Sequence, residues 1–309
     1  MATPSIYEFT RYLAAKKSVD DRALNRRVWQ TLAEHIPPAA RKIPLQVLEV
    51  GAGIGTMLER MLDWGLLGYA DYTGIEAQAE NIAEAGGRLP RWAREQGFRV
   101  ESRPPCEFIL TRPGQRVSVH LEAIDLFDFA AQPHNQGRWD LLAAHAFLDL
   151  MDIPAALPIL LNLLQPRGLY YFSLNFDGAT LLEPEIDAAL DERIQALYHQ
   201  SMDERFTGGR PSGDSRAGRR LFAALRQFGA QILDAGASDW VVYPTAEGYV
   251  QDEAYFLHFI IHTIQQALAG HPQIDPAQLA EWTARRHAQV ERCELVYIAH
   301  QLDFIGIRE

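Results

Sequence analysis

The chain has 309 residues, 48% hydrophobic and 22% charged, with a formal net charge of −11. That is enough apolar material for one large α/β domain with insertions or two small domains, and the acidity speaks against broad binding to a phosphate backbone. The two cysteines, Cys106 and Cys293, form no disulfide framework or metal-type pair, which suits a reducing cytosol. The N-terminal stretch lacks the apolar core of a signal peptide, and no apolar run reaches membrane-span length. A cytoplasmic protein that meets neither membrane nor nucleic acid is expected.

Residues 5–36 have helical periodicity. Ser18 with Asp20 and Asp21 is the expected helix start, Val19, Ala23, Leu24, Val28, Leu32 and Ile36 the apolar face, and Pro37-Pro38 the stop. Leu45 to Val50 is a short apolar run, suited to a strand buried on both faces. It breaks into Gly51-Ala52-Gly53-Ile54-Gly55, after which Thr56 caps a helix carrying Met57, Leu58, Met61 and Leu62. Strand, glycine turn and helix together aim backbone N–H groups at a ligand. A dinucleotide fingerprint needs its third glycine at the sixth position, which is Thr56 here.

Tyr72 to Ile75 is a second strand with Glu76 at its tip, where an acid can accept hydrogen bonds from both ribose hydroxyls of an adenosine. The alternative role of Glu76 is a first-turn acid for the helix from Ala77 to Ala85. Phe108–Thr111 and Val117–Leu121 alternate around Arg112-Pro113-Gly114-Gln115, a type II turn, and the second arm becomes a third core strand ending at Asp125. Leu141 to Ala144 is the fourth strand. His145 stands at its carboxyl end with Asp149 just beyond, where open α/β sheets bind ligands. Asp149 and Asp152 serve otherwise as caps for the helix begun at Pro154. A fifth strand runs over 169–176.

From Gly178 to Gly218 the core pattern lapses into an inserted helix (Ile186, Leu190, Ile194, Leu197) and a loop rich in Gly, Ser and Arg, with Arg210, Arg216, Arg219 and Arg220. A helix over 221–230, a strand broken at Gly236, helices over 252–268 and 276–295, and a closing strand over 296–307 complete the chain.

The run acid-x-Gly-x-Gly-x-Gly from Glu49 to Gly55, followed by Glu76 and Asp125 at strand tips, resembles the class I S-adenosylmethionine (SAM)-dependent methyltransferases. The resemblance covers 45–177 by motif and 221–307 by pattern of elements. It implies an α/β fold with a doubly wound, mostly parallel, seven-stranded Rossmann-like sheet, its last strand antiparallel, plus a helical cap. Residues 1–40 would form an N-terminal helical cap, 41–177 the SAM-binding core and 178–218 an inserted helix and lid loop. Residues 219–309 would complete the sheet and add substrate-covering helices.

The resemblance also implies SAM as cofactor. Glu49, Gly51, Ala52, Gly53 and Gly55 would lie at its methionine end, Glu76 and Ala77 at the ribose, Asp125 and Leu126 at the adenine, and His145 near the sulfonium. The resemblance would also bring Tyr7, Arg11, Tyr12 and Lys17 of the covering helix within reach of a ligand, against the favoured alternative of an ordinary amphipathic helix pair. The implied reaction moves a methyl group to a small-molecule acceptor, and a base is needed only if that acceptor must lose a proton.

His145, Tyr255 and His258 are the candidate catalytic residues, the last two on one face of the 252–268 helix. His258 and His262 are one turn apart but have no acid at suitable spacing, so no metal is expected. Tyr255, Phe256, Phe259 and Trp240 suggest a mostly apolar pocket. The Asn/Asp-Pro-Pro-Tyr run of methyltransferases acting on bases or glutamine is replaced by His145-Ala146-Phe147-Leu148, which lowers the case for nucleic acid. A homodimer is compatible with this reading. The alternatives are a nicotinamide-dependent Rossmann oxidoreductase and a non-catalytic SAM-binding protein.

Overall fold

The computed structural model describes residues 2–36, 43–103 and 106–309. Two helices, α1 (Phe9–Ala23) and α2 (Arg26–His35), precede β1 (Leu45–Val50), which leads through the glycine turn into α3 (Thr56–Asp63). β2 (Tyr69–Glu76) and α4 (Ala79–Glu95) follow, then a meander of β3 (Arg99–Arg103), β4 (Glu107–Arg112) and β5 (Gln115–Ala123). Next come α5 (Leu126–Ala130), β6 (Trp139–His145), α6 (Ile153–Leu163) and β7 (Leu164–Glu183). An excursion of α7 (Ala188–Asp203) and the small hairpin β8 (Phe206–Thr207) and β9 (Arg210–Pro211) returns to α8 (Ala217–Gln227) and β10 (Ala230–Ala237). β11 (Trp240–Val242), α9 (Glu253–Leu268), α10 (Pro276–Glu291) and β12 (Val296–Arg308) close the chain.

The main sheet runs β10-β12-β7-β6-β1-β2-β5-β4-β3, with β11 beside β12. β1 pairs in parallel with β2 and β6, β5 with β2, and β7 with β6. β12 is antiparallel to both β7 and β10. The expected doubly wound core with a reversed last strand is therefore present, extended by β3, β4 and β11. Its central strands read as near-continuous apolar runs because helices cover both faces. One apolar layer includes Met57, Leu58, Ile82, Leu89 and Ile261, and the other Leu157, Leu160, Leu221 and Leu225. No helix among the described residues is long and apolar enough to cross a membrane.

Three expectations need correction. Ser18, Asp20 and Asp21 lie inside α1 rather than at a helix start. The cap belongs to Asn25, whose side chain accepts from the N–H groups of Arg27 and Val28 and begins α2. The stop assigned to Pro37-Pro38 lies outside the described residues. The fifth strand does not lapse at Gly178 but continues to Glu183, because β12 pairs with it along that length, Thr180 opposite Ala299 and Leu182 opposite Tyr297. The sixth strand breaks after Ala237, and Gly236 stays in the ladder, where a Cβ would fall 2.3 Å from the Asn25 amide.

Candidate active site

The strand order reverses at β1, and open α/β sheets bind ligands outside the carboxyl ends at such a point. A cavity of about 600 Å3 opens there, within the usual range for small-molecule sites. Its near wall comes from the ends of β1 and β2, the glycine turn, and the turns after β5 and β6.

The glycine turn has local causes. Gly51 (φ 72°) and Gly53 (φ 54°) are left-handed, a conformation that L side chains rarely adopt. A Cβ on Gly51 would also fall 2.7 Å from the Phe147 ring. Gly51 and Ala52 donate their N–H groups to the Ile75 carbonyl at 2.9 and 3.0 Å, and Gly53 N–H donates to Glu76 Oε2 at 3.1 Å. Glu76 Oε1 accepts from Gln78 N–H at 3.0 Å. The acid at the tip of β2 thus braces the turn and opens the next helix while lining the cavity. Ala77 lines it too; Gly55 stands behind the wall as the N-cap of α3, where a Cβ would collide with Leu89.

Glu49 is buried on the cavity wall, and the Tyr72 hydroxyl donates to its Oε2 at 2.5 Å. Burial pushes its pKa up to about 8 against that hydrogen bond. Asp125 is exposed on the wall beside Leu126, with Oδ1 accepting from Phe127 N–H at 2.8 Å as the cap of α5.

Beneath the wall lies a buried charge network. Asp20 Oδ2 takes Lys16 Nζ at 2.5 Å, His145 Nε2 at 3.0 Å and an Arg60 nitrogen at 3.3 Å, and Oδ1 accepts from Trp240 Nε1–H at 2.9 Å. Burial alone would raise the Asp20 carboxyl, but Lys16, His145 and Arg60 outweigh it and hold it below the carboxylate range. Burial lowers His145 to about 4, so the ring is neutral at pH 7. Nε2–H then donates to Asp20, and Nδ1, 2.8 Å from Ser173 Oγ, accepts the hydroxyl proton. His145 reaches the cavity wall, as the sequence suggests, but has no free lone pair for a general base.

Tyr255 and His258 are not on the cavity. The Tyr255 hydroxyl bonds to the backbone of Glu8, and His258 Nδ1 lies 2.8 Å from His287 Nδ1 between α9 and α10. The α9 residues on the wall are Phe259, Ile260 and Thr263. Of the N-terminal candidates, Tyr12 lines the cavity; Tyr7 stacks on His262, Arg11 pairs with Asp252 and Lys17 with Asp21.

The far half of the wall holds residues that sequence reasoning missed: Lys16, Thr180, Tyr198, Arg205, Tyr297 and Gln301. A signal existed for Lys16. Tyr12, Lys16 and Asp20 recur every four residues, one stripe of a helix, and a charged pair on an otherwise buried stripe marks an interior partner. The hairpin and the residues after it pack on the turns beyond β5 and β6. The Arg210 guanidinium lies 4.5 Å over the Phe127 ring, and Asp214 N–H donates to the Asp149 carbonyl at 3.0 Å. Arg219 and Arg220 are tied to Asp177 and Asp214.

No family model matches the chain, and no curated protein sequence matches it. Among solved structures, the chain is similar to one described as a putative type II methyltransferase from Anaeromyxobacter dehalogenans. That match has 14% identity and a TM-score of 0.49, and covers 92% of this chain and 96% of the other. A phosphoethanolamine N-methyltransferase from Haemonchus contortus matches at 12% identity and a TM-score of 0.44, covering 99% and 61%. A geranyl diphosphate C-methyltransferase from Streptomyces coelicolor matches at 10% identity and 0.41, covering 92% and 81%. The likeness stops at that level, and the chemistry of this cavity has to be read from its own residues.

Proposed function

We propose that the chain is a SAM-dependent methyltransferase acting on a small-molecule acceptor. One observation carries this reading: the glycine turn, the buried Glu49 and the tip acid Glu76 open together onto one enclosed cavity at the switch point. The residues fit the cofactor. Gly51 and Gly53 leave the turn bare of side chains, Glu49 has no ion pair among the described residues and would meet the ligand's ammonium, and Glu76 and Asp125 would hold the ribose and adenine. When bound, SAM supplies a methyl group on a positively charged sulfur, already an excellent leaving group. The share left to the chain is to hold the two reactants aligned and dry.

The test is direct. SAM or S-adenosylhomocysteine at about a hundred times its dissociation constant should stabilise the protein by roughly 2.7 kcal/mol, read as a thermal shift. A shift with NAD and none with either SAM compound would move the assignment to a nicotinamide enzyme. Binding without S-adenosylhomocysteine production from any acceptor would leave a SAM-binding protein without turnover.

Glu49 gives this reading a pH signature. At pH 7 its carboxyl is mostly protonated, whereas an ammonium group prefers the carboxylate, so binding should release a proton. S-adenosylhomocysteine affinity is expected to rise between pH 6 and 8, approaching about tenfold per unit, and to level off above 8. Calorimetry in buffers of different ionisation enthalpy measures the proton directly. A flat profile would mean that Glu49 does not meet the amino group.

A further inference from the structure

Among the described residues, the acceptor half of the cavity holds a carboxylate that no side chain hydrogen-bonds. Asp149 follows the short turn after β6 and lines the cavity. Its Oδ1 is closed to solvent and accepts no hydrogen bond, and its carboxyl is held only by its own backbone N–H. The two cations of the same wall are engaged elsewhere. Lys16 Nζ sits on Asp20 at 2.5 Å, and the exposed Arg205 donates from Nε to the Ser212 carbonyl at 2.6 Å.

Around this carboxylate the cavity is aromatic. Tyr12, Phe176, Tyr198, Trp240 and Phe259 line it, with Tyr12 and Phe259 stacked at 4.2 Å. Aromatic faces attract a cation, and a carboxylate binds one through a charge-assisted hydrogen bond. An anionic acceptor would be repelled by Asp149, and one without a donor would leave the carboxylate buried and unpaired, which is costly.

We infer that the methyl acceptor is an amine whose protonated nitrogen is held against the Asp149 carboxyl within the aromatic wall. This rests on the methyltransferase reading. It gives Asp149 a second task, because an ammonium nitrogen has no lone pair to use as a nucleophile. One N–H bond breaks, the proton passes to the Asp149 carboxyl, and the electron pair stays on nitrogen. Burial pushes the Asp149 carboxyl up to about 6, which narrows the gap to an amine. Lys16 from α1 and Arg205 from the turn before β8 oppose that rise, and Asp214 adds to it; Tyr12 and Tyr198 face the same carboxyl.

The experiment uses the intact protein saturated with S-adenosylhomocysteine. The carboxyl 13C resonance of Asp149 is followed while primary and secondary amines from methylamine to tryptamine are added, each paired with the alcohol of the same carbon skeleton. At least one amine is expected to shift the resonance and to bind at least tenfold tighter than its alcohol by calorimetry. Asp149→Asn is expected to erase that preference while S-adenosylhomocysteine affinity changes less than twofold. No shift with any amine, alcohols binding as well as amines, or a preference surviving Asp149→Asn would each overturn the inference. Failure of the unaltered protein to bind S-adenosylhomocysteine would overturn the cofactor reading instead.

Discussion

Replacing Asp20 by alanine is expected to lower folding stability by about 3–5 kcal/mol, because breaking a buried ion pair from one side leaves the other charge uncompensated. Lys16 and Arg60 are both buried, and Lys16 makes its ion pair with Asp20. Arg60 keeps a second partner in Asp21, so Lys16 carries most of the loss. The substitution also frees the Trp240 indole N–H and the His145 ring, which tie α1 to β11 and to the end of β6. Asp20→Asn keeps the shape and part of the hydrogen bonding and should cost less. Urea unfolding with an unchanged m-value measures both. A loss below about 1 kcal/mol for Asp20→Ala would mean that the network fixes geometry without adding stability.

Glu76→Ala is expected to weaken SAM and S-adenosylhomocysteine binding by at least tenfold. A hydrogen bond to a charged group contributes roughly 1.5–3 kcal/mol, and each 1.4 kcal/mol is a factor of ten. The structure adds a second route to the loss. Gly53 N–H donates to Glu76 Oε2, so the variant also releases the turn that lies against the ligand. Glu76→Gln keeps an acceptor for Gly53 and should lose less. Isothermal titration of the folded variants decides it, and unchanged affinity in Glu76→Ala would leave Glu76 as a brace for the turn and helix only.

The glycine turn, the strand tips and the order of the core elements were legible because their causes are local. Left-handed backbone demands glycine at Gly51 and Gly53, and an apolar run bounded by such a turn has few other readings. What failed was long-range. Ser18, Asp20 and Asp21 have the chemistry of a helix start, and only the bond of Ser18 to Glu253 and the pairing of the two acids with Lys16, Lys17, Arg60 and Trp240 explain them inside a helix. Tyr255 and His258 do share a face of α9, but the cavity meets the helix further along, at Phe259, Ile260 and Thr263, which spacing cannot tell. His145 was placed correctly at its strand end, yet the Ser173 and Asp20 contacts that occupy its ring nitrogens come from residues 28 and 125 positions away. The run from Gly178 to Glu183 reads as loop because its strand character is supplied by β12, more than a hundred residues later.

The long β7–β12 ribbon bears on how such a protein can change its acceptor over evolutionary time. Leu174, Phe176 and Thr180 from β7, with Tyr297 and Gln301 from β12, form part of the cavity wall. All lie within the two long strands, Leu174 at a bulge, rather than on a loop that tolerates insertion or replacement. Residues on such a wall recur every second position, so each can be exchanged while its neighbours keep the opposite face packed. Diversification along this wall would therefore proceed by single side-chain replacements, leaving changes of loop length to the β8–β9 hairpin. A combinatorial library at these five positions would sample acceptor preference without disturbing the cofactor half of the molecule.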